Sequence, residues 1–281
     1  MTDRSLSPET TVFITGASRG IGLAIAKRLA RDGANVAFVA KTAEPHPRLE
    51  GTIFTAAAEI EEAGGSALPI VGDIRDDELV ASAVKQTVEH FGSIDILINN
   101  ASAINLSGTS DLDMKRYDLM QDINTRGTFM VTKTCMPSLK QSANAHVLTM
   151  SPPLNLNPVW FRHHVAYTIA KYGMSMCTLG MAEEFRSDGV GINSLWPRTT
   201  IATAAVQNLL GGDAAMSMTR RPSIVADAAH AILTRDAAQT TGNFFIDEDV
   251  LREEGIVDFA QYQYGPDAQL QTDIFLDDDG S

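Results

Sequence analysis

Tyr167 and Lys171 are the residues best suited to chemistry in this 281-residue chain, and they stand four positions apart in an apolar, helix-like stretch. That spacing places both side chains on one face of a helix. A phenol has an ordinary pKa of about 10 and is a poor base near neutral pH, but a neighbouring ammonium group favours the phenolate and lowers that pKa. The pair therefore predicts proton transfer to or from a hydroxyl or carbonyl oxygen.

Two polar residues upstream extend this candidate site. Asn124 lies within a long helical stretch, and Ser151 follows a short apolar run that is typical of a strand. Ser151 could hydrogen-bond a substrate oxygen where charge develops, and Asn124 could hold a water that connects Lys171 to solvent. Each residue also has a purely structural interpretation, Ser151 as a turn former and Asn124 as a local hydrogen-bonding residue. Their occurrence beside Tyr167 and Lys171 favours a catalytic set of four.

A glycine-rich turn, Thr15-Gly16-Ala17-Ser18-Arg19-Gly20-Ile21-Gly22, joins the first apolar strand to an apolar helix. Glycines let the backbone turn sharply and approach a pyrophosphate, and the positive end of the following helix attracts the anion. A merely flexible loop is the alternative interpretation. The flanking strand and helix favour a dinucleotide site, with these binding residues: Thr15, Gly16, Ser18, Arg19, Gly20, Ile21 and Gly22.

The end of the second strand indicates which dinucleotide binds. NAD-binding folds carry an Asp or Glu there that accepts hydrogen bonds from the adenosine ribose. This chain has Ala40-Lys41-Thr42 and no acid at that point. Lys41 and Arg19 can converge on a 2′-phosphate that a carboxylate would repel, so the sequence predicts NADP(H). A solvated strand-end lysine is the alternative interpretation of Lys41.

Short β-branched runs alternate with longer helical stretches along the chain, a pattern typical of a parallel sheet covered on both faces. The sequence predicts an α/β fold, a single-domain Rossmann-type doubly wound parallel sheet of about seven strands. The predicted strands are Thr11–Thr15, Asn35–Ala40, Leu68–Val71, Ile94–Ile98, His146–Met150, Val190–Leu195 and Phe244–Ile246. The predicted helices are Ile21–Asp32, Thr52–Ala63, Asp76–Phe91, Asp111–Leu139, Ala166–Asp188 and Ser223–Leu233.

Both ends of the chain differ in composition from the region between them. Residues 1–9 form a polar stretch that we expect to be a flexible head, and residues 10–264 form the predicted dinucleotide-binding catalytic domain. Residues 265–281 form an acidic tail, whose charge run is typical of a solvated end. Phe275 and Leu276 could still attach part of this tail to the domain.

The composition excludes several classes of protein. Twenty-two Lys and Arg against 35 Asp and Glu give a net charge of −13, which repels nucleic acid and anionic membranes. Cys135 and Cys177 are too few for a disulfide framework, and no signal peptide or membrane-length apolar run is present, so we expect a cytoplasmic protein. His163 and His164 are expected to be solvated, and no ligand cluster predicts a metal site.

The order of these motifs over nearly the whole chain resembles that of the short-chain dehydrogenase/reductase family. The resemblance rests on the glycine turn, Asn99-Asn100-Ala101 at the end of the fourth strand, Asn124, Ser151 and the Tyr167 and Lys171 pair. It implies that Tyr167 is the general acid/base, that Ser151 orients the substrate and that Asn124 holds the relay water. It also implies that the following residues bind the cofactor: Asp73 at the adenine, Ile74, Asn100, Ala101, Tyr167, Lys171 at the nicotinamide ribose, Pro197 and Thr199.

Three positions depart from the pattern of that family. Ser102 and Arg198 each replace a usual glycine, and Ser151 precedes Tyr167 by 16 residues, a few more than usual. The proline-rich loop between them could absorb the excess and line the mouth of the substrate site with apolar side chains: Leu154, Trp160 and Phe161. A lid-like stretch, Ile201–Met218, could cover the same mouth.

These features predict an NADP(H)-dependent oxidoreductase that interconverts a small hydrophobic alcohol and its carbonyl compound. A non-catalytic NADP(H)-binding redox or lipid sensor is the alternative from the binding class. An epimerase or dehydratase of related fold is a third reading, although the glycine spacing and the absence of a larger second domain disfavour it.

Two long helical stretches, Asp111–Leu139 and Ala166–Phe185, carry more apolar positions than one sheet-facing stripe needs, Phe129 and Met176 among them. A second apolar face predicts a homodimer or homotetramer. The alternative is that the methionines fill gaps in the core of a single chain.

Overall fold

Seven parallel strands form one sheet, in the order β3-β2-β1-β4-β5-β6-β7. The computed structural model describes residues 4–45, 51–209, 212–265 and 269–277. The strands are β1 Thr11–Thr15, β2 Asn35–Ala40, β3 Ser66–Val71, β4 Ile96–Asn99, β5 His146–Thr149, β6 Gly191–Trp196 and β7 Phe244–Ile246. The predicted doubly wound parallel sheet is confirmed, and the strand bounds differ from the predicted ones by at most two residues.

Helices connect the strands and cover both faces of the sheet. They are α1 Gly20–Ala30, α2 Ile53–Glu62, α3 Asp77–Phe91, α4 Met114–Met120, α5 Gly127–Leu139, α6 Val165–Glu184, α7 Ala204–Leu209, α8 Gly212–Ser217, α9 Ser223–Leu233 and α10 Asp247–Glu253. Val12 and Ile14 of β1 pack in one core layer with α1, α2 and α9. Phe13, which points the other way because strand side chains alternate, packs with α3, α5 and α6.

The site is positioned by a change in the direction of winding at the centre of the sheet. The chain builds outward from β1 through β2 to β3, then returns to place β4 on the other side of β1. Connections that leave β1 and β4 toward opposite faces open a crevice at their carboxyl ends, where open α/β sheets bind ligands. Thr15 and Asn99 are the paired last residues of these two strands.

The long helix predicted over Asp111–Leu139 is interrupted by a π-helical turn, Gln121–Arg126, between α4 and α5. Helix α6 approaches this turn closely because Gly173 has no side chain. A Cβ built on Gly173 would lie 2.4 Å from Oγ1 of Thr125. Thr125 in turn donates a hydrogen bond from that oxygen to the carbonyl of Ala170, at 3.1 Å. This contact brings the turn that carries Asn124 against the helix that carries Tyr167 and Lys171.

Both ends of the described chain attach to the domain. The N–H of Leu6, within the predicted flexible head, donates to a carboxylate oxygen of Asp32 at 2.8 Å. Arg4 also pairs with Glu254 at the end of α10, a helix that the sequence reasoning did not predict. Within the described residues, no helix is long and apolar enough to cross a membrane.

Candidate active site

The glycine turn between β1 and α1 is packed so closely that side chains would not fit. Gly16 has a φ of +75°, and a Cβ there would lie 2.9 Å from the Cα of Ala101. A Cβ on Gly22 would lie 2.5 Å from Nδ2 of Asn100 and 2.7 Å from the Gly16 carbonyl oxygen. Helix α1 begins at Gly20 without a side-chain cap on its first N–H groups. The turn therefore has the shape and the donors that an anionic phosphate needs.

Thr15 and Asn100 hold this turn against the end of β4. The hydroxyl of Thr15 accepts the N–H groups of Asn100 and Ala101, both at 3.1 Å. Nδ2 of Asn100 donates to the carbonyl oxygens of Thr15 and Gly16, at 3.0 and 2.8 Å. Both side chains are thus occupied inside the protein, where they brace the cradle.

A cleft of about 640 Å³ opens in front of the turn. Most residues predicted to bind the cofactor line it: Gly16, Ser18, Arg19, Gly20, Ile21, Gly22, Lys41, Asp73, Ile74, Asn100 and Ala101. The lid-like stretch also contributes lining residues: Thr203, Ala204, Ala205 and Asn208. Thr42 and Ser102 line the cleft as well, together with residues that the sequence reasoning missed because apolar and small residues carry no chemical signal: Val39, Gly72, Ile104 and Ile123. Thr15, Pro197 and Thr199 do not line this cleft, nor do any of the four catalytic candidates.

Charged groups cluster at the end of the cleft beyond β2. Lys41 Nζ lies 3.3 Å from a carboxylate oxygen of Asp73, which also accepts from Arg75 at 2.6 Å. Partial burial opposes the charge on Asp73, but the hydrogen bonds from Arg75 and the charge of Lys41 outweigh it and lower the Asp73 pKa to about 2. Arg19 reaches across the same end and donates to the carbonyl oxygen of Gly51 at 2.9 Å.

Tyr167 lies in the first turn of α6, and Lys171 lies one turn later; both side chains are buried. Nζ of Lys171 donates to the Met150 carbonyl oxygen at 2.7 Å and lies 5.1 Å from the ring centre of Trp196. Burial lowers the pKa of Lys171 to about 7 and raises that of the Tyr167 phenol, so the structure shows no lowered phenol pKa. In this arrangement Tyr167 is a neutral phenol.

The other two catalytic candidates make internal hydrogen bonds. The Asn124 side chain lies in the π-helical turn, where it accepts from the N–H of Ala103 at 2.8 Å and donates to the Ala103 carbonyl oxygen at 3.0 Å. The hydroxyl of Ser151 lies 2.8 Å from that of Ser194, which donates to Thr178. The structure thus places Asn124 as a brace near the site, and it places the Ser151 hydroxyl in a buried hydroxyl chain.

The described part of the acidic tail, residues 269–277, packs over α6, and we call it the C-terminal segment. Phe275 and Leu276, the two residues that could attach the tail to the domain, are buried. The ring of Phe275 stacks on that of Tyr167, with centroids 6.1 Å apart and planes at 27°. Thr272 forms an antiparallel bridge with Thr199, so this candidate cofactor residue already has a backbone partner.

The proline-rich loop after β5 meets the same segment. Asp277 accepts hydrogen bonds from Nδ2 of Asn155 at 2.8 Å and from Nε1 of Trp160 at 3.2 Å. His164, which was expected to be solvated, is instead buried, and its Nδ1 lies 3.0 Å from Oγ1 of Thr168. Over the described ranges, no group of three His, Cys, Asp or Glu side chains is arranged to hold a metal ion.

The sequence reasoning missed two buried carboxyl groups. Asp247, at the start of α10, is fully buried, and its Oδ1 accepts the N–H of Arg198 at 2.8 Å while Oδ2 has no hydrogen-bond partner. Asp273 belongs to the C-terminal segment and interacts electrostatically with Tyr167, Lys171 and Asp247. Desolvation raises the pKa of each carboxyl to about 7. Neither position carries a motif that could have revealed it.

Comparisons with known proteins agree with this architecture. A family model described as short chain dehydrogenase matches residues 10–212. The chain is 59% identical over 267 residues to hydroxysteroid dehydrogenase-like protein 2 from Danio rerio, covering 95% of this chain but 64% of that protein. A short chain dehydrogenase from Mycobacterium thermoresistibile superposes with a TM-score of 0.91 at 58% identity, covering 96% of this chain and 95% of its own. The crystal structure of a Xanthomonas campestris protein superposes with a TM-score of 0.94 at 55% identity, covering 98% of this chain and 100% of that one.

The buried carboxyl of Asp247 gives a prediction about stability and pH. A carboxyl whose pKa is higher in the folded than in the unfolded chain stabilises the fold less as pH rises from about 4 to about 7. Asp247→Asn removes that titration and keeps the acceptor for Arg198. Relative to wild type, the variant should gain roughly 2 kcal/mol in free energy of unfolding between pH 5 and pH 8.

Urea unfolding at the two pH values measures this gain. Asp249→Asn, an exposed carboxyl on the same helix, controls for the loss of a surface charge. A difference between variant and wild type that is the same at both pH values would show that the Asp247 carboxyl is not held neutral in the fold.

Proposed function

The chain belongs to the short-chain dehydrogenase family, and we propose that it is an NADP(H)-dependent oxidoreductase that interconverts a hydrophobic alcohol and its carbonyl compound. The observation that carries the proposal is the glycine turn, where Gly16 and Gly22 lie too close to neighbouring atoms for any other residue. This turn stands at one end of the cleft, and cationic groups stand at the other. The chain spans 64% of the length of its Danio rerio relative. An activity of that whole, longer protein is therefore carried over to this chain only as part of the proposal.

The family binds NAD(H) or NADP(H), and the residues present suit the second. The N-terminus of α1 and the glycine turn would hold the pyrophosphate, and Ile74, Asn100 and Ala101 would line the adenosine half of the site. Lys41 and Arg19 would contact the 2′-phosphate. Since Arg75 already neutralises Asp73, Lys41 can turn from that carboxylate to the phosphate without leaving an unpaired charge.

Tyr167 is the proposed general acid/base. When bound, the nicotinamide supplies or accepts the hydride, and Tyr167 moves the proton at its hydroxyl oxygen to or from the substrate oxygen. Water that reaches the pair would restore the Lys171 ammonium, which then favours the phenolate. Ser151 is the proposed substrate-orienting residue, which requires its hydroxyl to leave Ser194. Asn124 supports the proton route by bracing Ala103.

The substrate class follows from the apolar surroundings of Tyr167. Leu154, Trp160 and Phe161 pack around the cluster that contains this tyrosine. These apolar side chains favour a hydrophobic substrate, because binding it buries apolar surface. The substrate then needs only one polar oxygen, which Tyr167 can hydrogen-bond.

We also propose that the chain forms a homo-oligomer through α5 and α6. Phe129 of α5 and Met176 and Leu179 of α6 are large apolar side chains that are more than half exposed in the single chain. Helices α5 and α6 pack side by side on one face of the sheet, so these side chains offer a shared apolar surface. A second copy that presents the same surface would bury it isologously.

The cofactor proposal predicts a change of preference on Lys41→Asp. Losing one charge–phosphate contact should weaken NADPH binding by about 1–2 kcal/mol, roughly 5- to 30-fold, while NADH, which lacks the 2′-phosphate, is affected less. Fluorescence titration with both cofactors measures this. Lys85→Asp, on an exposed part of α3, is the matched control. Wild-type protein that binds NADH as tightly as NADPH would contradict the proposal.

The acid/base proposal predicts that Tyr167→Phe keeps cofactor binding but loses all but a few per cent of turnover, because only the ionisable hydroxyl is removed. The substrate for this assay comes from a screen of aliphatic, terpenoid, steroid and acyl-thioester compounds with both cofactors. Tyr264→Phe, an exposed tyrosine, is the control.

Retained turnover in Tyr167→Phe would exclude this residue as the acid/base. Tight NADPH binding with no turnover in the whole screen would instead favour the sensor.

The assembly proposal predicts that Met176→Glu yields single chains. A charge at this half-exposed site would be buried without a partner in the proposed interface, which is costly. Light scattering after size exclusion should show wild type as a multiple of 30.2 kDa and the variant near that mass. Val257→Glu, at an 86% exposed valine away from both helices, is the control. Wild type that stays at the mass of one chain at micromolar concentration would refute the oligomer.

A further inference from the structure

Phe275 of the C-terminal segment sits in a box of five aromatic side chains. Its ring centre lies 6.3 Å from Trp160, 5.9 Å from His164, 6.1 Å from Tyr167, 5.3 Å from Tyr172 and 5.9 Å from Trp196. We call these five residues the aromatic box. Phe275 is wholly buried, although it belongs to an otherwise acidic tail. The box therefore holds one phenyl ring directly against the phenol of Tyr167.

The backbone of Phe275 is strained. Its φ is +75°, and it is the one residue other than glycine with a positive φ in the described parts of the chain. This region is unfavourable for a bulky side chain because Cβ crowds the following carbonyl group. Surrounding contacts must hold such a conformation in place, and here those contacts are the rings of the aromatic box. Release of Phe275 would relieve the strain and offset part of the cost of emptying the box.

The C-terminal segment is attached to the domain by backbone and side-chain hydrogen bonds. Gln271 accepts the N–H of Thr200 and donates its own N–H to the Met218 carbonyl oxygen, both at 3.0 Å, beside the bridge between Thr199 and Thr272. The Asp273 N–H donates to the Arg198 carbonyl oxygen at 3.0 Å, and Nε1 of Trp196 donates to that of Ile274 at 3.0 Å. The Asp277 carboxylate binds Trp160 and Asn155 at the other side of Phe275. Each of these groups can bind water instead, so the segment can leave without creating a buried unpaired group in the sheet.

The Phe275 ring covers Tyr167. While Phe275 is in the aromatic box, the phenol is buried and neutral, and neither it nor Lys171 lines the open cleft. Because the Phe275 ring stacks on the Tyr167 ring, a substrate that approached Tyr167 from this side would need the space that the phenyl ring fills. The ring and a substrate therefore compete for the same place.

We propose that the aromatic box is the binding site for an aryl group of the substrate, that Phe275 occupies it as an internal competitor, and that an aryl alcohol or carbonyl compound binds by displacing the C-terminal segment. This inference rests on the proposed oxidoreductase function and adds the class of substrate. Five aromatic walls favour a flat ring over a flexible alkyl chain, because ring edges and faces pack with defined geometry. Because Phe275 fills the box for part of the time, the apparent affinity for the substrate is the intrinsic affinity multiplied by the fraction of molecules in which the box is open.

The two tryptophans report on this site without any turnover. The chain contains two, Trp160 and Trp196, and both contact Phe275. The experiment titrates 2-phenylethanol into wild type, Phe275→Ala and Phe275→Gly and follows tryptophan emission. Glycine removes the ring and accepts the positive φ. Both variants should bind 2-phenylethanol roughly tenfold more tightly than wild type.

Two controls test whether the gain in affinity is specific to Phe275 and to an aryl ligand. Phe54→Ala makes the same substitution at an exposed ring on α2 and should bind 2-phenylethanol like wild type. In both Phe275 variants, the affinity for 1-hexanol should increase less over wild type than the affinity for 2-phenylethanol does. Unchanged affinity for 2-phenylethanol in folded Phe275 variants would overturn the proposal. An equal gain for 1-hexanol would overturn the assignment of the box to an aryl group.

A second measurement uses the wild-type chain and stays decisive if both variants fail to fold. Chymotrypsin cleaves after aromatic residues that it can reach, and Phe275 is buried in the box. Saturating 2-phenylethanol should raise the rate of cleavage after Phe275 severalfold, as mass spectrometry of the products would show. Cleavage at Tyr264, which is exposed already, should not change. No acceleration at Phe275 would refute displacement.

Neither measurement uses a cofactor or a reaction. Failure of the aryl-site proposal would therefore appear as unchanged binding and unchanged cleavage. Failure of the oxidoreductase proposal would appear as absent turnover in the substrate screen, with the binding results intact.

Discussion

The close approach of the glycine turn to the end of β4 is the constraint on which the rest of the structure depends. Gly16 and Gly22 lie so near Ala101 and Asn100 that a Cβ on either glycine would collide with them. This contact requires β1 and β4 to be neighbours, which in turn requires the chain to cross back over the sheet after β3. The crossing opens the crevice at the carboxyl ends of the strands, so one backbone contact links the topology to the candidate site.

Desolvation and charge oppose each other along this crevice. At the end beyond β2, Arg75 and Lys41 hold the Asp73 carboxyl charged despite a net charge of −13 on the whole chain. At the end where Tyr167 and Lys171 lie, the C-terminal segment packs over the buried side chains, and burial outweighs the attraction between Lys171 and Asp273. The Tyr167 phenol consequently stays neutral. The two ends differ because solvent reaches one of them and Phe275 covers the other.

Sequence reasoning was accurate where structure follows from neighbours in the chain and wrong where it does not. β1 and β2 match their predicted bounds, since a strand buried on both faces is a continuous apolar run. The π-helical turn at Gln121–Arg126 was missed because it spans six residues, too few to show a changed period in the sequence. His164 was expected in solvent, but its burial comes from Phe275 and Tyr167, which the pattern around the histidine does not contain.

The sequence by itself determined the alternation of strands and helices, the glycine turn, and the placement of Tyr167 and Lys171 on one helix, because each is a local pattern of periodicity or i, i+4 spacing. Only the tertiary structure decided that the Ser151 hydroxyl bonds to Ser194 and that Lys41 pairs with Asp73. It alone brought the C-terminal segment onto Tyr167. These contacts join segments that are distant in the chain, and their free energy depends on burial that exists only once the whole sheet has formed.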